Sequence, residues 1–168
     1  MNYTFFVYYL KPDHFRDGIC GEAHADPADL EKTHVRLRML EVHKPWYAEA
    51  DDTLTIEEAL EEAFRAQQGE VWSRNGEARA LIEQKGLKHT SMSVGDVLVT
   101  NTGDIYEVAS VGFRKIGKRS TWSVIAESPG GRAGHWYGQP SYHDTLEEAE
   151  AERERMSNAL PNWKVFIE

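Results

Sequence analysis

One short run near the start of the chain most limits the folds that this sequence can adopt. Residues 4–10 read Thr-Phe-Phe-Val-Tyr-Tyr-Leu, which is a stretch dominated by β-branched and aromatic side chains. Such residues fit the pleated surface of a sheet and favour extended backbone. The run therefore predicts an interior strand, and Lys11-Pro12-Asp13 predicts its end.

Helix signals occur at four places in the sequence. Thr55–Glu58 and Thr145–Glu148 have the spacing of a capping box, in which a threonine and a glutamate satisfy each other's backbone N–H groups. Each box is followed by apolar residues that would share one helix face, namely Ile56, Leu60, Ala63 and Phe64 after the first and Leu146, Ala149, Met156 and Leu160 after the second. A third helix is predicted from Asn75 to Lys85, and Asp26-Pro27 predicts a short fourth one, with Asp26 as its N-cap.

Strand signals occupy most of the remainder. Alternating or short apolar runs predict strands at 33–39, 97–99, 105–108, 111–113, 122–125, 135–138 and 163–167, with loop at 13–25 and turns at 101–104 and 117–119. These elements favour an α+β fold, with a mainly antiparallel sheet or a partly open small barrel and about three helices packed on it. We expect residues 1–168 to form a single compact domain, with sub-modules 1–120 and 121–168 as the alternative.

Composition narrows the chemistry that the chain can support. Cys20 is the one cysteine, so no disulfide within the chain and no cysteine-based zinc site can form. The seven histidines are scattered without helical i, i+4 pairing, and no phosphate loop or dinucleotide fingerprint is present. We therefore expect no metal and no cofactor. Scarce cysteine and the lack of a signal peptide or membrane-spanning run predict a cytoplasmic protein that binds no membrane.

Charge is unevenly distributed along the chain. The net charge is −9, and residues 41–70 hold nine acidic and two basic side chains, while residues 144–154 hold six acidic and one basic. The two best predicted helices are thus acidic. Their glutamates could bind a protein with a basic surface, and the candidates for this contact are Glu57, Glu58, Glu61, Glu62, Glu147 and Glu148.

The central region reverses this balance. Residues 71–122 hold five acidic and eight basic side chains, and the densest basic group is Arg114, Lys115, Lys118 and Arg119. On a hairpin tip beside Phe113 and Trp122, this group could contact phosphates while the aromatic rings stack on bases. Nucleic-acid binding through the 114–119 hairpin is therefore the alternative function, although the net charge disfavours it.

Residues 135–144 hold the densest mixture of reactive and aromatic side chains. The segment reads His-Trp-Tyr-Gly-Gln-Pro-Ser-Tyr-His-Asp. An enzyme could use His135 or His143 as acid or base and Ser141 as nucleophile, which is the second alternative. The aromatic residues Trp136, Tyr137 and Tyr142 are better candidates for a partner contact, because exposed Trp and Tyr concentrate at interface hot spots.

A signature in the middle of the chain resembles a known family. Ser91-Met92-Ser93-Val94-Gly95-Asp96-Val97, followed by Tyr106 and by Gly112-Phe113, is similar to the core of YodL-like domains, which occur in proteins of bacterial mobile elements and phages. The resemblance covers about residues 53–116, and this chain has a longer, more charged segment at 71–88. It implies an accessory protein of a plasmid, phage or integrated element.

These observations together favour a non-enzymatic protein-binding function. The partner would be a host or element-encoded protein with a basic surface, and an anti-defence inhibitor or regulator is the sharpest form of this hypothesis. Catalytic and metal-ligating residues are not predicted.

Overall fold

The computed structural model describes residues 3–21, 24–43, 54–128 and 141–168. Contacts divide the chain into two compact units, Met1–Arg119 and Ser120–Glu168. This boundary lies beside residue 120, where the sequence allows two sub-modules. The described residues form eight strands and six helical segments, and both sheets are antiparallel, so the predicted α+β class is confirmed.

The first unit contains a five-stranded sheet with the order β2-β1-β3-β4-β5. Its strands are β1 (Tyr3–Leu10), β2 (His34–Val42), β3 (Val97–Thr100), β4 (Asp104–Val108) and β5 (Phe113–Lys118). The helical segments of this unit are α1 (Phe15–Ile19), α2 (Leu30–Thr33), α3 (Ile56–Ala66), α4 (Gly69–Trp72) and α5 (Arg79–Gln84). The predicted interior strand is confirmed, because β1 pairs with β2 on one side and with β3 on the other.

Both faces of this sheet are covered. One face contributes Phe5, Val7 and Leu98 to a core that is completed by α3 and α5 through Leu60 and Ile82. Described residues between 11 and 33 lie against the other face, since Gly18 contacts Leu10, Pro27 contacts Gly117 and the Ala25 N–H bonds to Glu107. On this face Phe6, Tyr8, Leu10, Val97, Val99 and Ile105 are all at most 3% exposed. Burial of both faces explains why residues 4–10 lack the polar alternation of a strand with one face in water.

The second unit is a three-stranded sheet with one helix. Its strands are β6 (Trp122–Glu127), β7 (Ser141–His143) and β8 (Lys164–Ile167), in the order β7-β6-β8. The helix α6 (Leu146–Ala159) begins at Thr145, whose side chain accepts a hydrogen bond from the Glu148 N–H. On the predicted apolar face of α6, Ala149 is fully buried and Leu146 is 42% exposed, so this face is buried only in part.

Four local predictions need correction. Residues 15–19 form α1 rather than loop, and α2 begins at Leu30, because Asp26 accepts from the Ala28 N–H in a local turn instead of capping a helix. The third helix starts at Arg79, since Asn75 bonds to Glu77. Residues 117 and 118 lie in β5 rather than in a turn. The predicted strand at 135–138 lies outside the described residues.

Residues of the 91–97 signature connect distant parts of the first unit. Gly95 has a φ of 89°, and a Cβ at this position would lie 2.6 Å from Leu10 Cδ1 and 3.3 Å from the Gly18 backbone. Asp96 is fully buried, and its carboxylate accepts hydrogen bonds from the Leu10 N–H and the Ser93 N–H, both at 2.8 Å. The signature therefore has a structural role, because it fixes β3 against the end of β1.

Candidate functional site

The turn between β4 and β5 exposes an apolar side chain. Residues 109–112 form this turn, and Ala109 N–H donates to Gly112 O at 3.0 Å. Gly112 has a φ of 66°, a conformation that glycine adopts without strain. Val111 is 89% exposed at the tip, although a valine gains stability when buried. An exposed valine in a tight turn is thus available for contact with another molecule.

An apolar cleft lies between this turn and α3. Its volume is about 240 Å³, and its lining includes Phe64, Phe113, Val94, Val108 and Glu61. The rings of Phe64 and Phe113 meet edge to face, with centroids 6.2 Å apart. The cleft is continuous with the turn because Ala109, Ser110 and Gly112 also line it.

The exposed side of α3 carries carboxylates next to the cleft. The predicted capping box is confirmed, since Thr55 and Glu58 exchange hydrogen bonds, and Glu62 pairs with Arg65. No ion pair involves Glu57 or Glu61 within the described residues. Glu57 precedes Glu61 by four residues on α3, so the two carboxylates lie on the same face of the helix.

A second cleft lies on the other side of the same turn. It has a volume of about 230 Å³ and is lined by α1 residues, Cys20, His24, Glu107 and Arg114. Glu107 is buried, with Oε1 accepting from the Ala25 N–H at 2.9 Å and Oε2 paired with Arg114. Arg114 also donates to His24 Nδ1 at 2.7 Å. The charges at this cleft are therefore satisfied internally.

The four basic residues of the predicted hairpin do not form one patch. Arg114 pairs with Glu107, Lys115 with Asp104 at 2.9 Å, and Arg119 with Glu31 at 2.8 Å. Arg114 and Lys115 point to opposite faces, because successive side chains of a strand alternate. The expected basic hairpin tip is therefore wrong as a geometry, since Arg114, Lys115 and Lys118 lie along the edge strand β5. Three of the four basic residues are in ion pairs.

The described part of the 135–144 segment lies in the second unit. Ser141 Oγ and His143 Nε2 are 3.0 Å apart on β7, and Tyr142 is half-buried opposite Ser123. Burial raises the pKa of Asp144 to about 7, with a smaller contribution from the Glu148 charge. Glu147 and Glu148 lie in the first turn of α6. His135, Trp136 and Tyr137 lie outside the described residues.

Metal and membrane signals are absent from the described ranges. Nowhere in residues 3–21, 24–43, 54–128 or 141–168 do three His, Cys, Asp or Glu side chains gather as metal ligands would. None of the helices in the same ranges combines the length and the apolar composition that crossing a bilayer demands.

The sequence pattern did not indicate that the 109–112 turn forms part of the cleft beside α3. The strand predicted at 111–113 is wrong for residues 111 and 112, which lie in this turn, because nothing local distinguishes an exposed valine from a buried one. The partner residues Val94 and Phe64 are far away in the chain. The available signal was Gly112 two residues after Ser110, because serine and glycine are common turn residues.

Comparisons with protein-family models, curated proteins and solved structures found no match to this chain. The resemblance of residues 53–116 to YodL-like domains therefore stays a prediction.

Proposed function

We propose that this protein is a non-enzymatic binding module that engages another protein through the surface between α3 and the β4–β5 turn. This α3–turn surface consists of Glu57, Glu61, Phe64, Val111 and Phe113. The observation that carries the proposal is an exposed valine and an apolar cleft beside two carboxylates that join no ion pair in the described parts of the chain.

The surface combines the two properties that a protein interface needs. Apolar side chains in a cleft provide binding free energy when a partner's side chain displaces water from them. The charges beside the cleft orient an approaching partner and increase the rate of association. A partner that presents an apolar anchor flanked by Lys or Arg is therefore the best complement.

The biological setting of the proposal comes from the sequence. Similarity to YodL-like domains supports an accessory protein of a plasmid, phage or integrated element, and the partner would be a host or element-encoded protein. Proteins that handle nucleic acids have basic surfaces that bind the phosphate backbone. An acidic helix can occupy such a surface because its carboxylates mimic the charge of that backbone. An anti-defence inhibitor or regulator is the sharpest form of this proposal.

The experiment uses tagged protein to capture a partner from host lysate after nuclease treatment. The identified partner is then purified, and its affinity is measured for the wild type, for Val111→Asp and for Glu57→Lys/Glu61→Lys. We expect each variant to weaken binding by about tenfold or more, because loss of a hot-spot contact costs upwards of ~1.4 kcal/mol.

A matched double variant controls for the overall change in charge. Glu70→Lys/Asp13→Lys reverses two exposed carboxylates that do not line the α3–turn surface. We expect this control to bind like the wild type at physiological salt, where charges beyond about 8 Å are screened. Equal affinity for all four proteins, or capture that nuclease abolishes, would contradict the proposal.

A further inference from the structure

A second candidate site in the first unit is a groove separate from the α3–turn surface. It is an open groove of about 770 Å³ between α4, the 73–76 turn, α5 and residues 87–90. Small-molecule sites in proteins typically have volumes of roughly 300–1,000 Å³. The size of this groove therefore fits a ligand about as large as a nucleotide.

Positive charge dominates the wall of this groove. Arg74, Arg79 and Lys88 line it, against one carboxylate, Glu83. All three cations are exposed, and none of them takes part in an ion pair or side-chain hydrogen bond within the described residues. This contrasts with residues 114–119, where three of the four cations are paired with carboxylates. In a chain of net charge −9, three unpaired cations in one cavity are a specific local feature.

The floor of the groove is apolar and well fixed. Ile82 and Leu87 are each 5% exposed, and Leu87 N–H donates to Ile82 O at 2.9 Å. Thr90 O accepts hydrogen bonds from Trp72 Nε1 at 3.0 Å and from the Tyr9 hydroxyl at 2.9 Å. Ser73 Oγ accepts from the Ala78 N–H at 2.9 Å, which holds the 73–76 turn at the start of α5. The backbone beneath the three cations is thus pre-organised.

We propose that this groove binds a phosphorylated small molecule. Guanidinium groups match phosphate oxygens with paired N–H donors, and Lys88 adds a point charge. Ile82 and Leu87 provide apolar contact for the body of the ligand, while Glu83 can accept hydrogen bonds from its hydroxyl groups. A nucleic-acid strand fits less well, because the lining contains no aromatic ring for base stacking and the net charge of the protein repels a long polyanion.

The test is calorimetric titration of the full chain with inorganic pyrophosphate and with ADP in low salt. We expect dissociation constants below about 1 mM, which corresponds to roughly −4.1 kcal/mol of binding free energy. Arg74→Gln/Arg79→Gln should weaken the binding of both ligands by about tenfold or more, because the variant loses the charge-assisted hydrogen bonds to the phosphate oxygens.

Two lysines outside the groove give a matched control. Lys85→Gln/Lys118→Gln removes the same charge from exposed positions that do not line the cavity, and it should bind both probes like the wild type. An equal loss in this control, or no heat with either probe, would overturn the proposal. Tighter binding of a twelve-residue oligothymidylate than of ADP would also overturn it and would favour a nucleic-acid site.

Discussion

At the scale of single residues, Asp96 connects several segments of the first unit through hydrogen bonds to one buried carboxylate. Its carboxylate receives the Leu10 and Ser93 N–H groups, and His89 Nε2 lies 3.2 Å from both carboxylate oxygens. His89 in turn stacks on Tyr9, with ring centroids 4.6 Å apart. A buried carboxylate with several donors stabilises the fold, whereas loss of that carboxylate leaves the donors unsatisfied.

Replacing Asp96 should therefore destabilise the first unit strongly. We expect Asp96→Ala to lower the free energy of unfolding by about 3–5 kcal/mol in urea denaturation. Asp104→Ala is the control, because Asp104 is only partly buried and pairs with the exposed Lys115, and it should cost less than about 1 kcal/mol. Similar losses in the two variants would show that the buried network contributes little.

The sequence predicts part of this network. Val94-Gly95-Asp96-Val97 indicates a turn before a strand, since Gly and Asp serve local turn geometry. Its main partner was not recognisable, because the Leu10 N–H lies 86 residues away in sequence. Contacts between distant residues depend on strand order, which periodicity does not specify.

At the scale of elements, predictions succeeded where one local interaction determines the structure. α3 was located from its capping box and apolar stripe, and both are present. β5 was not, because Gly117 suggested a turn. In the fold, Gly117 lies under Pro27, whose Cβ would be 2.7 Å from an added Cβ, so close packing rather than a turn explains this glycine.

The capping box of α3 gives a prediction at this scale. Thr55→Val removes the hydroxyl that accepts from the Glu58 N–H, and we expect a loss of about 1 kcal/mol in the free energy of unfolding. Glu58→Gln retains an acceptor for the Thr55 N–H and should cost less than Thr55→Val. Unchanged urea midpoints for Thr55→Val would mean that water replaces the cap at no cost.

At the scale of the whole molecule, the two units should respond to acid in opposite ways. Burial lowers the pKa of His34 in the first unit below its usual value of 6.5. The His34 imidazole therefore binds a proton less readily in the folded unit than in the unfolded chain. Burial raises the pKa of Asp144 in the second unit to about 7 from 3.8, so there the folded state holds a proton that the unfolded chain releases.

We therefore expect acidification from pH 7.5 to 5.5 to destabilise the first unit and to stabilise the second. Urea titrations followed by NMR amide signals report on each unit separately. His34→Gln should reduce the pH dependence of the first unit, and Asp144→Asn should reduce that of the second. Parallel responses of the two units to pH would contradict this assignment.

The position of β1 has a consequence for the order in which the fold can form. β1 is the first of the described strands, and its two neighbours are residues 34–42 and residues 97–100, with Val7 opposite Leu98. Pairing across so long a loop is entropically slow. During synthesis, the edge of β1 that pairs with β3 therefore stays without a partner strand until the ribosome has released β3. A chaperone that shields residues 4–10 in this interval would protect the nascent chain from strand-to-strand aggregation.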